Sequence, residues 1–221
     1  MAYFIAPLYE QTYAGTLGGE SLAFRYSTVV GQRVIEAPAS ADLVFQSDDG
    51  RGGWQTRGSL SFYNLVESDA DAPDPAALDA LSGILETRPT TPTNLPPLIN
   101  PDAMPPRALT ANARYLSLAQ GEGVRYIEAF AADDAPLLGD DLQYVFQGII
   151  DDGRYFLAAA FPVATQALPP RATFDFAVLA PANYAAYLDE TRERLTASRW
   201  RSSRPDLALL DMLIESIVIG T

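Results

Sequence analysis

The side chains of this chain that could do chemistry are carboxylates, hydroxyls and guanidiniums, because three residue types are missing. There is no His and no Cys, and all 15 basic residues are Arg. Without imidazole there is no Ser-His-Asp triad and no His metal site. Without thiolate there is no cysteine nucleophile, disulfide or zinc-thiolate centre, and cysteine usage says nothing about redox compartment. Without Lys there is no Schiff base and no Walker-type phosphate lysine. Two carboxylates across a cleft still suffice for glycoside hydrolysis. Glu128 is the acid set mid-strand, sharing a face with Tyr126 and Phe130. A carboxylate there is either neutralised in a pocket, which raises its pKa, or paired with an Arg. Arg125 and Arg154 are the expected neighbours, and an edge position in water is the plainer alternative.

Acidic pairs recur at Asp48-Asp49, Asp133-Asp134, Asp140-Asp141 and Asp151-Asp152. Carboxylates near Gly could hold Ca²⁺, which takes about six to eight oxygen ligands. Asp69-Ala-Asp71-Ala-Pro-Asp74 begins like a calcium loop, then departs from one: Pro73 stands where an oxygen ligand belongs, and neither the Gly nor the closing Glu follows. Aspartates also serve turns and helix caps for purely local reasons, and that role is the expectation here. No metal or cofactor is implied. Arg199-Trp200-Arg201, with Arg204, is the local basic cluster. It could dock a partner, since Arg and Trp are enriched at binding hot spots, or be an interhelical turn in which Trp200 plugs the core. Tyr126, Tyr144 and Tyr155 could line a sugar- or peptide-binding surface, or pack as ordinary strand tyrosines. The glycines at 15–19 and 50–53 fit no nucleotide-binding pattern.

The elements that must position these residues are legible in part. Tyr144–Val163, YVFQGIIDDGRYFLAAAFPV, is two apolar β-runs joined across Asp151-Asp152-Gly153, a strong hairpin signal because Gly153 accepts positive φ. A loop at Asp152-Gly153 pairs Ile150 with Tyr155, Gly148 with Leu157, Phe146 with Ala159 and Tyr144 with Phe161. That face is wholly apolar and the opposite one mixed, so the sheet is expected to be covered on both sides. Further strands are expected at 21–30, 43–46, 59–66, 112–120 and 124–131. A helix starts at Asp74-Pro75, with Leu78, Leu81 and Leu85 at helical spacing. Two more helices close the chain: 181–197, with Tyr184, Tyr187, Leu188 and Leu195 on one stripe, and one opened by a capping-box-like Ser203-Arg-Pro-Asp206. Seven prolines lie between Arg88 and Arg107, a segment expected to tether across the surface. The fold class that follows is α+β: a single antiparallel sheet with helices packed on it, an α/β/α sandwich being one such arrangement, in one domain over 1–221.

The net charge of −13 argues against nucleic acid or anionic lipid as the main partner and for solubility or a cationic partner. No apolar run approaches the roughly 20 residues of a spanning helix. MAYFIAPLYE has neither the basic region nor the long apolar run of a signal peptide.

GGESLAFRYS near the start, then GVRYIEAFA, DDLQYVFQGIIDDGRYFLAAAFPV, NYAAYLDETRERL and PDLALLDMLIESI, together resemble a family of bacterial exported proteins without assigned activity, often lipoproteins, of filamentous phototrophs and their relatives. The resemblance covers roughly 19–46 and 112–218. It implies an extracytoplasmic or cell-surface location, although the signal and lipid-attachment Cys of that family are missing from this sequence. The element order is also loosely similar to PsbP-like α/β/α sandwiches. Together with the missing catalytic residue types, the resemblance implies a non-catalytic binding or accessory protein with a protein or envelope partner. A carboxylate-based glycan hydrolase and a calcium-stabilised structural domain are the alternatives.

Overall fold

A computed structural model describes residues 10–37, 42–66, 73–92, 95–96, 106–131, 134–174, 183–198 and 203–220. In chain order the elements are β1 (Glu10–Leu17), β2 (Glu20–Ser27), β3 (Arg33–Glu36), β4 (Asp42–Asp48), β5 (Trp54–Asn64), α1 (Pro75–Thr87), β6 (Arg107–Leu118), β7 (Gly121–Phe130), β8 (Leu142–Ile150), β9 (Tyr155–Val163), α2 (Tyr184–Ala197), α3 (Leu207–Glu215) and β10 (Val218–Ile219). The α+β expectation holds, but the single sheet is corrected to two. Seven strands run in the order β3-β4-β5-β9-β8-β7-β6, and a separate three-stranded sheet has the order β1-β2-β10. The reason lies in β2. Its apolar face, Leu22, Phe24 and Tyr26, packs onto the large sheet instead of extending it. Phe24 and Tyr26 lie 5.9 and 5.5 Å from the ring of Phe45, which in turn stands 5.1 Å from Phe161.

The hairpin forms in the register its sequence specifies. Ile150 pairs with Tyr155, Gly148 with Leu157, Phe146 with Ala159 and Tyr144 with Phe161. Asp152 and Gly153 take φ of 50° and 87°, and Arg154 N donates to the Asp151 carbonyl at 2.9 Å, the geometry of a primed turn matched to strand twist. Across the next strand pair Gly148 faces Gly123, and the ring of Phe146 lies over both. A methyl on Gly123 would meet Phe146 Cζ and the Gln147 carbonyl, each at 2.4 Å.

Both faces of the large sheet are covered, as the hairpin implies. The inner face, with Leu60, Leu109, Ile127, Tyr144, Phe146, Leu157 and Phe161, packs against the small sheet, α2 and α3. The outer face, with Val124, Tyr126, Val145, Phe156 and Ala158, is covered by Leu81, Ile84 and Leu85 of α1 and by Leu95 from the Pro-rich segment. Each large apolar side chain so buried contributes about 1.5–3 kcal/mol. The Pro-rich segment is therefore a strap seated on the sheet where it is described, with Pro92, Leu95 and Pro96 buried.

The helix caps are local chemistry. Asp74 Oδ1 accepts from Ala76 N at 3.1 Å, with Pro75 at the first helical position as expected. Asn183 is the N-cap of α2, its Oδ1 accepting from Ala186 N at 3.2 Å, while the expected start at Pro181 lies outside the described residues. Asp206 is itself the N-cap of α3, accepting from Ala208 N at 2.9 Å, so the expected Ser203 capping box is corrected: Ser203 and Pro205 lie outside the helix, and Ser203 Oγ donates to the Pro205 carbonyl.

One polar side chain substitutes for a strand. Gln120, in the turn between β6 and β7, donates from Nε2 to the Ile219 carbonyl at 2.7 Å and accepts from Ile219 N at 2.8 Å. Its amide mimics a backbone partner for β10, whose other edge pairs with β2. Gln120→Ala is expected to lower stability by about 1–2 kcal/mol, since both Ile219 groups lose their partner. Denaturant titration and faster amide exchange at Ile219 check this.

Candidate functional site

Glu128 and Tyr126 both fall on the outer face of β7, between β6 and β8, so the edge position in water is corrected: the Glu128 residue is only 1% exposed. Its expected arginine partners are corrected as well. Arg107 of β6 donates from Nη1 to Glu128 Oε1 at 2.9 Å, and its Nη2 reaches the Leu95 carbonyl of the strap at 2.8 Å. Arg154 instead pairs with Glu20 and lies near Asp151. Glu128 Oε2 is buried without a hydrogen-bond partner, and burial raises the acid's pKa against the lowering effect of Arg107. Tyr126 donates to the Pro96 carbonyl at 3.0 Å and accepts from Gln147 Nε2 at 2.8 Å, while the same Nε2 donates to Pro96 at 2.9 Å. Burial pushes the Tyr126 phenol well above its ordinary pKa, so it remains a donor. Tyr115 donates to the Pro89 carbonyl at 3.0 Å. The strap thus hangs by its carbonyls from donors on the sheet. Glu128 is thus buried beside the described part of the strap, next to the Arg107 that holds the Leu95 carbonyl. Tyr126, Tyr144 and Tyr155 are all core residues rather than a ligand-lining surface.

A second ionic group was missed in the sequence. Asp211 on α3 and Arg125 on the inner face of β7 are 5% and 6% exposed. Asp211 Oδ1 accepts from Arg125 Nε at 3.2 Å and from the Tyr144 hydroxyl at 3.1 Å, and Oδ2 accepts from Arg114 Nη1 at 3.3 Å. Arg125 also donates to the Asn112 carbonyl, which a β-bulge in β6 turns toward it: Asn112 and Ala113 oppose the single residue Tyr126. The signal was present in LALLDMLIE, where Asp211 interrupts the apolar stripe of Leu207, Leu210 and Ile214. An acid on such a stripe needs a buried cation. Burial, then Asp211, pushes the Tyr144 phenol well above its ordinary value.

The acidic pairs serve turns and surface ion pairs. Asp48 Oδ1 accepts from Gly50 N at 2.7 Å, and Asp49 Oδ1 accepts from Arg51 N at 2.7 Å and Gly53 N at 2.9 Å, bonds that lower the pKa of Asp49. Asp140 accepts from Arg171 N at 2.8 Å, and Asp141 takes the Arg171 guanidinium on both oxygens at 2.6 Å. Asp134, Asp151 and Asp152 adopt positive φ. Asp69, Asp71 and Asp133 lie outside the described residues, as do Arg199, Trp200 and Arg201. Among the described residues no group of three or more acidic side chains is placed to hold a metal ion, and no helix is long and apolar enough to cross a membrane.

An open groove of about 470 Å³ lies between α1 and the turns at Gln120 and Gly153. Leu85 and Ile149 give it an apolar floor, and Glu86, Glu122 and Asp152 ring it. Arg88 neutralises Glu122; Glu86 and Asp152 form no ion pair among the described residues. The sequence did not point to this groove, because its acids come from three separate elements. No family model, curated protein or solved structure matches the chain.

Proposed function

We propose that this is a non-catalytic binding or accessory protein of the cell envelope or of a larger extracytoplasmic assembly, which takes a cationic protein segment in the groove between α1 and the tip of the β8–β9 hairpin. The groove carries this reading. Its volume falls within the usual range of ligand sites, and apolar floor and acidic rim suit an Arg or Lys side chain, stem on Leu85 and Ile149 and charge toward Glu86 and Asp152. The net charge of −13 adds attraction at long range. Location outside the cytoplasm is supported by the resemblance of the β7–β9 and α2 segments to exported proteins. With Glu128 buried beside Arg107 and Asp211 neutralised by arginines, the buried acids support structure rather than turnover.

The test is fluorescence anisotropy with a labelled Arg-rich decapeptide. Saturable binding is expected, weakened about tenfold by Glu86→Gln with Asp152→Asn, since each exposed charge pair is worth up to about 1 kcal/mol. The same loss of charge on α2, Asp189→Asn with Glu193→Gln, should leave affinity within about twofold. Equal losses from both double variants, or no saturable binding by the parent protein, would sink the proposal.

A further inference from the structure

Two acceptor oxygens on the outer face are buried without a donor: Glu128 Oε2 and Gln143 Oε1. Glu128 and Gln143 are direct cross-strand partners in the β7–β8 pairing, on the same face, where paired Cβ atoms stand about 5 Å apart. Two adjacent buried acceptors are a costly arrangement, because neither retains its bonds to water. A single hydrogen between them satisfies both. The other carboxyl oxygen, Oε1, already accepts from Arg107, so Oε2 is the oxygen left to carry it.

We propose that Glu128 is a proton-binding site: in the folded protein it is a neutral carboxylic acid whose Oε2–H donates to Gln143 Oε1, while its Oε1 accepts from Arg107 and so fixes the guanidinium that holds the Leu95 carbonyl. When the acid ionises, its contact to Arg107 becomes charge-assisted, but two buried acceptors then face each other and the link from Glu128 to Gln143 across β7 and β8 is lost.

The charged and titratable groups around the acid are few. Arg107 faces it from β6, and Tyr126 shares its strand; Gln143 and Gln147 of β8 are neutral, and the strap contributes the carbonyls of Leu95 and Pro96. Arg107 is the only cation acting on it among the described residues. Burial outweighs that cation, and the acid's pKa is raised. The folded protein therefore holds this proton more tightly than the unfolded chain. Its contribution to stability is complete below the ordinary glutamate value of about 4.3 and is lost as pH rises through the folded midpoint.

Carboxyl carbon NMR of the protein labelled at glutamate Cδ tests this directly. The Glu128 resonance is expected to titrate with a midpoint above about 4.3. A midpoint at or below that value would overturn the proposal and mean that Gln143 turns its amide N–H toward an ionised carboxylate. Glu128→Gln is the conservative variant, because its amide N–H can replace the acid's O–H. It is expected to fold, keep the strap and lose the pH dependence; failure to fold would also overturn the proposal. Relative to that variant, the folding constant of the parent protein should fall tenfold for every unit by which the midpoint exceeds the ordinary value. Gln143→Met, which removes the acceptor, should move the Glu128 midpoint. An unmoved midpoint would show that Gln143 is not the partner.

Discussion

Asp211→Ala is expected to lower stability by about 3–5 kcal/mol, measured by urea denaturation at neutral pH. The cost does not come from losing an attraction. It comes from leaving Arg125, whose side chain is 7% exposed, as a buried cation without its counter-charge, and the Tyr144 hydroxyl without its acceptor. Arg114 softens the loss little, because its side chain is 61% exposed and is free to swing into water. Replacing Arg125 and Asp211 together by Met and Leu should recover most of the loss, since apolar groups of similar volume commonly substitute for a buried pair without penalty. A single-variant cost below about 1 kcal/mol would show that water reaches the pair after Asp211 is removed.

Gly123→Ala should cost about 3 kcal/mol, the upper end of ordinary overpacking. The position has no unusual φ; the constraint is space, because the ring of Phe146 occupies the volume that side chains at Gly123 and Gly148 would fill. Phe146→Leu alone should cost about 1–2 kcal/mol as a cavity. In the double variant the two losses should fall short of their sum, because the smaller side chain frees room for the new methyl. Part of the cost should persist, since the Gln147 carbonyl is backbone and cannot yield as a side chain can. Strict additivity would show that the ring does not set the constraint.

The contrast between what was legible and what was not follows physical range. The β8–β9 hairpin, with its register and its turn at Asp152-Gly153, is decided by residues close in sequence, and so are the caps at Asp74 and Asp206. What escaped depends on distant partners. β1 reads as polar alternation with a Gly, β3 is only four residues long, and β10 is two residues that become a strand because β2 and the Gln120 amide supply their bonds. The same distinction governs the candidate sites. Glu128 stands out as an acid in a strand, but Arg107 could not be named as its partner, because a β-bulge in β6 shifts the register that brings them together. Asp211 escapes notice because its stripe reads as apolar without it. The groove acids Glu86, Glu122 and Asp152 become neighbours only when α1 settles over the hairpin turns.

The pairing of β10 with β2 joins segments from opposite ends of the described chain. During synthesis the β1–β2 hairpin emerges first, yet its free edge and the apolar face of Leu22 and Phe24 stay uncovered until the large sheet, α3 and finally β10 are available. Two-stranded hairpins are marginal in water, and an unpaired apolar edge invites association with other chains. Folding therefore depends on a late, long-range closure, with high contact order and slow kinetics as its consequence. The nascent hairpin is the point at which a folding helper, or a wrong neighbour, has the longest opportunity to act.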